Sequence, residues 1–251
     1  MSRIVKAIGD AVLSPSISKP LYSTHYPTSF LEKTFITAGS TLISAFYPLR
    51  TDMVGALGET TGTPALEYVR SQMVLTKEGN EILKERPNID ERVNPKFWEY
   101  ISTLPPDTFG GAYYKFMSTN GFVASERPPV RFIDDEELAF IMFRYRQCHD
   151  YFHVLADLPP SVYAEIIVKW IEFFQTRLPM TLLSGAAAPL TQLTFEQQKE
   201  LATVFLPWAL DAGRNCKFLM GVYFEKYHLE KPVEQVRKEL NFRIAPRSNL
   251  V

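Results

Sequence analysis

Apolar residues recur along this chain at spacings of three and four, and the alternation expected of strands is scarce. Helix-starting and helix-ending residues bracket these periodic stretches. Ser29 or Thr28 can cap a first helix over LEKTFITAGSTLISAFY, stopped by Pro48. Thr63-Pro64 is a cap with proline at the first helical position and opens ALEYVRSQMVL. A shorter helix, KEGNEILKER, ends at Pro87. Asn94-Pro95 repeats the device before KFWEYIS, and FGGAYYKFMSTN closes at Gly121. The acidic residues Asp134, Asp135, Glu136 and Glu137 favour the start of a long helix, LAFIMFRYRQCHDYFHVLA. Leu158-Pro159-Pro160 ends it, and Ser161 caps VYAEIIVKWIEFFQTR. Thr194 and Gln197 match a capping box ahead of EQQKELATVF. A helix from about Asp211 to Tyr227 and a charged one, VEQVRKELN, complete the pattern.

This pattern predicts an all-α, bundle-like single domain over residues 21–242. Residues 1–20 are either a mitochondrial targeting segment or an unstructured terminus, and 243–251 form a C-terminal tail. The first 25 residues hold Arg3, Lys6, Lys19 and five serines against Asp10 alone, a weak presequence composition. The longest uncharged run, Leu178 to Phe195, is interrupted by Pro179, Gly185 and Pro189, so it does not suit a membrane span. Lying on a membrane surface is still open to the chain.

At 251 residues, 46% apolar and 22% charged, the composition is that of an ordinary globular protein. The net charge of −1 gives no electrostatic case for nucleic acid. Cys148 and Cys216 are too isolated for a disulfide framework or a cysteine-rich zinc module. Gly55, Gly58 and Gly62 would suit a nucleotide loop, but the G-K-[ST] element is missing. The aromatics Phe97, Trp98, Tyr113, Tyr114 and Phe116 read as core, with a hydrophobic slot as the minority alternative.

Residues 149–165, HDYFHVLADLPPSVYAE, concentrate the chemistry. Half of the chain's four histidines fall within five residues. On a helix, His149 and His153 share one face a turn apart, with Asp150 beside them. A short Leu-Pro-Pro turn would lay the next helix antiparallel and bring Glu165 back to the imidazoles. Singly, each residue has an ordinary explanation: a satisfied histidine, an Arg146–Asp150 pair, a Glu165–Lys169 surface pair. Together, polar groups set among Tyr151, Phe152, Val154, Leu155, Ile166 and Ile167 would need one another or a cation to offset desolvation. His149, Asp150, His153 and Glu165 thus make a candidate divalent-metal site. The donor set differs from closed structural zinc sites and looks like an open, Lewis-acid site; a two-histidine-one-carboxylate iron site is also allowed, and the spacing gives a divalent metal and no more. The pattern is cousin to H-E-x-x-H, although Asp150 stands where that motif carries its glutamate base.

The element H-D-x-x-H followed by eleven residues and Glu resembles the signature of the ubiquinone (coenzyme Q) biosynthesis protein four family. Further blocks look like that family in the same order: DMVGALGETTG, LPPDTFGGAYYKFM, Arg144-Tyr145-Arg146, VKWIEF, LPWAL and VYFEKY. The resemblance covers roughly residues 21–242. It implies zinc held by His149, Asp150, His153 and Glu165. The implied reaction is metal-dependent decarboxylation of a 4-hydroxy-3-methoxy-5-polyprenylbenzoate, with or without oxidation at the same carbon. Asp150 or Glu165 would carry the proton, and Arg146 could orient an anionic group. The implied setting is peripheral, on the matrix side of the mitochondrial inner membrane. Its partners there would be other coenzyme Q biosynthesis proteins in a complex, with room for a homodimer. Two rival readings are a non-catalytic, lipid-binding scaffold of that complex with a structural metal, and a metal-dependent hydrolase.

Overall fold

The computed structural model describes residue 14, residues 19–47 and residues 50–251, and shows no strand among them. Most of the candidate targeting segment, and Pro48, lie outside the described residues. The expected all-α, single-domain class is what the chain adopts. Helix α1 (Phe30–Phe46) starts on Ser29, whose hydroxyl accepts from the Glu32 amide in a full capping box. It packs on α2 (Thr51–Thr61), a helix that holds Gly55 and Gly58 of the stretch without a G-K-[ST] element. Gly58 lets Met180 of a later helix approach closely, since a Cβ there would fall 2.2 Å from Met180 Sδ. Next come α3 (Thr63–Met73), α4 (Lys77–Glu85), α5 (Pro95–Ser102) and α6 (Phe109–Asn120). Asn94 caps α5 as expected, and Gly121 ends α6 in the left-handed region at φ 66°.

Helix α7 (Glu136–Ala156) runs through the middle of the fold, and every residue from Arg144 to Ala156 is buried. Asp135 caps it, and Asp157 ends it with a left-handed turn. Ser161 then caps α8 (Val162–Thr176), which doubles back along α7 and buries Ala164, Ile167, Val168 and Ile171 on its other faces. Helix α9 (Pro179–Gln192) occupies the uncharged run, with Pro189 inside it.

The end of the chain departs from expectation in one respect. Helix α10 (Phe195–Glu200) continues through a π turn, Leu201–Phe205, into α11 (Leu206–Asn215). Pro207 has no amide to give the helical ladder, and a widened turn just before it absorbs that loss. The helix expected from Asp211 to Tyr227 instead stops at Cys216. There the buried Gln175 amide donates to Gly213 O and its carbonyl accepts from the Leu219 amide, holding the chain in an irregular path. Only α12 (Phe224–Tyr227) and α13 (Val233–Leu240) follow. The C-terminal segment is laid against the bundle: Ala245 N donates to Ala156 O at 3.1 Å, and Ser248 Oγ sits 2.9 Å from Glu200.

Of the five aromatics, Phe97 and Tyr113 belong to the core, Trp98 and Phe116 pack on it, and Tyr114 is partly exposed. Cys148 is buried, and burial pushes its thiol up to about 12, as suits a packing residue.

The fully buried Arg144 shows how the centre is held. Its guanidinium forks onto Glu225 at 2.5 and 2.8 Å, and Tyr151 Oη donates to the same carboxylate. Removing one partner of a buried pair leaves the other charge uncompensated. Arg144→Ala should therefore lower stability by about 3–5 kcal/mol, read from the shift of a urea-unfolding midpoint. A shift worth less than about 1 kcal/mol would show that the pair is dispensable to folding.

Candidate metal centre

Helix α7 presents Tyr145, His149 and His153 on one stripe, at i, i+4 and i+8. The antiparallel α8 answers with Glu172, Lys169 and Glu165, at i+7, i+4 and i. The turn between the helices is short enough that the first turn of α8 stands against the last two turns of α7. His149 Nε2 lies 3.1 Å from Glu165 Oε2, and His153 Nε2 lies 3.2 Å from Glu165 Oε1. Potential ligand atoms of His149, His153 and Glu165 all fall within 4.8 Å of one another. Among the described residues no other such group of three occurs.

Each imidazole is oriented from behind. His149 Nδ1 contacts Glu172 Oε1 at 2.6 Å, and His153 Nδ1 contacts the Leu158 carbonyl at 3.2 Å. Because a carbonyl can only accept, Nδ1 of His153 carries hydrogen, and in the neutral ring Nε2 is the atom left to offer a lone pair. That Nε2 is buried with no hydrogen-bond partner. An imidazole lone pair facing a carboxylate is repulsive unless a proton or a cation stands between them.

The spacing suits a cation. Two ligands at 2.0–2.1 Å on a tetrahedral ion are separated by about 3.3 Å, close to both nitrogen–oxygen distances here. Two histidines and one glutamate are also the donor set of open zinc sites, which keep a further position for water or substrate.

Asp150 is outside this trio. It is buried and paired with Arg127 from the preceding loop. Arg146, expected to pair with Asp150 or to face an anion, instead binds Glu59 at 2.6 Å and the carbonyls of Pro128 and Gly55. Lys169, expected beside Glu165, points to Glu172 at 2.8 Å. The sequence reading did not single out Glu172 or Arg127. Glu172 had a signal available, since it follows Glu165 by seven residues, two helical turns along the same face of α8.

The charges bear on how the site loads. Burial acts against the ionised form of Glu165, but the imidazoles outweigh it and hold this carboxyl far below its ordinary range. Burial and Lys169 push His149 down, yet Glu165 and Glu172 raise it to about 9. Burial likewise opposes ionisation of Glu172, and Lys169 and His149 lower it to about 2. The side chain of Glu165 is 38% exposed, whereas that of His153 is not exposed at all, so solvent reaches the trio from the Glu165 side.

In the metal-free protein the raised His149 contributes stability that is complete below about 6.5 and is lost as pH rises through about 9. The lowered Glu165 contributes stability present above about 4.5 and lost in acid. The melting temperature in chelator should therefore peak between these limits and fall towards pH 9. Added zinc, which displaces protons from imidazole, should raise it more at pH 8.5 than at pH 6. Equal zinc shifts at both pH values in thermal scans would contradict this centre.

Comparison with known proteins shows the family. Residues 22–246 match the family model described as coenzyme Q (ubiquinone) biosynthesis protein Coq4. The chain is 40% identical over 226 residues to the mitochondrial ubiquinone biosynthesis protein COQ4 homolog of Xenopus tropicalis, spanning 90% of this chain and 79% of that protein. It is 38% identical over 227 residues to the Homo sapiens homolog, spanning 90% and 84%. The crystal structure of a Nostoc punctiforme protein ascribed to ubiquinone biosynthesis shares the fold. The TM-score is 0.62 and the identity 18%, over 83% of this chain and 95% of that one.

Proposed function

The chain belongs to the coenzyme Q (ubiquinone) biosynthesis protein Coq4 family, and we propose that it removes the ring carboxylate from a 4-hydroxy-3-methoxy-5-polyprenylbenzoate. The observation that carries this reading is the buried pair of oriented imidazoles converging on one carboxylate. His149, His153 and Glu165 would hold zinc, while Asp150, which the family motif adds to the ligand set, is paired with Arg127 and left outside the trio. Bound there, zinc supplies a Lewis acid for the substrate's oxygens.

The residues of the chain account for the remaining requirements. The para-hydroxyl pushes electron density onto the carboxylate-bearing ring carbon, which takes up one proton. Breaking the ring–carboxylate bond then releases carbon dioxide and returns the bonding pair to the ring, restoring aromaticity. Both oxygens of Glu165 are engaged by the imidazoles, so the proton-carrying role falls to Asp150. The guanidinium of Arg127, about a quarter exposed, is placed to pair with an incoming anion. Buried apolar neighbours on α7 exclude water from the back of the site.

The setting we propose is the matrix face of the inner mitochondrial membrane, within a complex of coenzyme Q biosynthesis proteins. No helix among the described residues is long and apolar enough to cross a bilayer. Helix α1, however, is turned inside out: Ser40 and Ser44 are buried while Phe30, Phe35, Leu42 and Phe46 are exposed. Such a face suits peripheral contact with lipid and a substrate whose tail resides there.

The test is release of carbon dioxide from the polyprenylated benzoate by zinc-loaded protein, with and without oxygen, beside a His153→Ala variant. Wild-type release that is lost in the variant is expected, and oxygen dependence separates simple from oxidative chemistry. A folded, metal-loaded protein that releases none would instead favour a scaffold with a structural metal.

A further inference from the structure

We propose that Glu172 is a positioning residue of the metal centre, fixing the His149 imidazole for metal capture, and that Tyr145 and Lys169 act by locking Glu172. This inference rests on the metal-binding reading above. Glu172 is completely buried on α8. Desolvating a carboxylate is costly, and here three donors offset the cost. His149 Nδ1 meets Oε1 at 2.6 Å, Tyr145 Oη donates to Oε2 at 2.6 Å, and Lys169 Nζ donates to Oε2 at 2.8 Å. The carboxylate therefore has one oxygen for the imidazole and the other for its own restraint.

Two features distinguish this from an ordinary buried ion pair. The first is direction. The Oε1 contact places hydrogen on His149 Nδ1, so that Nε2, the atom 3.1 Å from Glu165, is the one free to bind. A ring flipped about its own axis would lose the Glu172 contact. The second is charge. Lys169 stands against Glu172 and not against Glu165, although Glu165 is four residues away on the same helix. Glu172 is thereby neutralised in place, while Glu165 retains its charge for the metal. Lys169 also stacks its ammonium 5.8 Å from the Tyr145 ring, tying the same three side chains together. The functional stripe is thus longer than the histidine motif: Tyr145, His149 and His153 on α7 face Glu172, Lys169 and Glu165 on α8.

The experiment measures zinc affinity of the full chain by competition with a chromophoric chelator. Nitrogen-15 NMR of the histidine rings in the zinc-loaded protein accompanies it. Glu172→Ala should weaken zinc binding about 10–100-fold, and Glu172→Gln, which keeps an acceptor for Nδ1–H, should recover part of the loss. The wild-type spectrum should show His149 protonated at Nδ1 and bound through Nε2, with that signature lost in Glu172→Ala. Tyr145→Phe removes one hydroxyl from the lock and should weaken zinc a few-fold, which supplies the test if the alanine variant does not fold. Wild-type affinity and an unchanged His149 signature in Glu172→Ala and Tyr145→Phe would overturn the proposal. A wild-type chain that binds zinc no better than His153→Ala would overturn the metal centre itself, and this inference with it.

Discussion

Thirteen consecutive residues of α7 are buried, and six of them carry polar or charged side chains that water cannot reach. Each must find a partner inside the protein, and each finds it on a different part of the chain. Arg144 takes Glu225 of α12, Arg146 takes Glu59 of α2, Gln147 takes Asn88 of the α4–α5 loop, and Asp150 takes Arg127. His149 and His153 turn to α8. This demand ties α7 to α2, α8, α12 and the loops holding Asn88 and Arg127, alongside the apolar core. At the imidazoles the two Nε2 atoms converge on the single carboxylate of Glu165, and that is where a cation fits.

Local chemistry was the legible part of the sequence. Ser29, Asn94, Ser161 and Thr194 all accept from the amides that their positions imply, because a cap depends on three neighbouring residues and little else. The α7–α8 hairpin, and with it the meeting of His149, His153 and Glu165, was legible for the same reason: one short turn joins them. What depended on distant contacts was not. The packing of Gly58 in α2 against Met180 involves a helix far along the chain, and the break at Cys216 follows from a glutamine some forty residues earlier. Arg127 and Glu172 escaped notice because neither belongs to the histidine motif. A buried arginine at 146 was visible as a charge, but its partner at position 59 was not.

Family membership and site geometry speak to different levels of the same question. The relatives place the chain among proteins named for ubiquinone biosynthesis. The geometry supplies what a name cannot, a reason for two histidines and a glutamate to stand together at the end of a buried helix pair.

The turn from Asp157 to Ser161 carries a consequence of its own. The Leu158 carbonyl accepts from His153 Nδ1, and three residues later Ser161 caps the helix that delivers Glu165. The interval between the second histidine and the glutamate is therefore a ruler with both ends fixed. Adding or removing one residue there would rotate Glu165 by about 100° around α8, away from the imidazoles. Such a change would also detach the carbonyl that aims His153. The connection can vary in composition far more readily than in length, and the motif records a distance as much as a set of ligands.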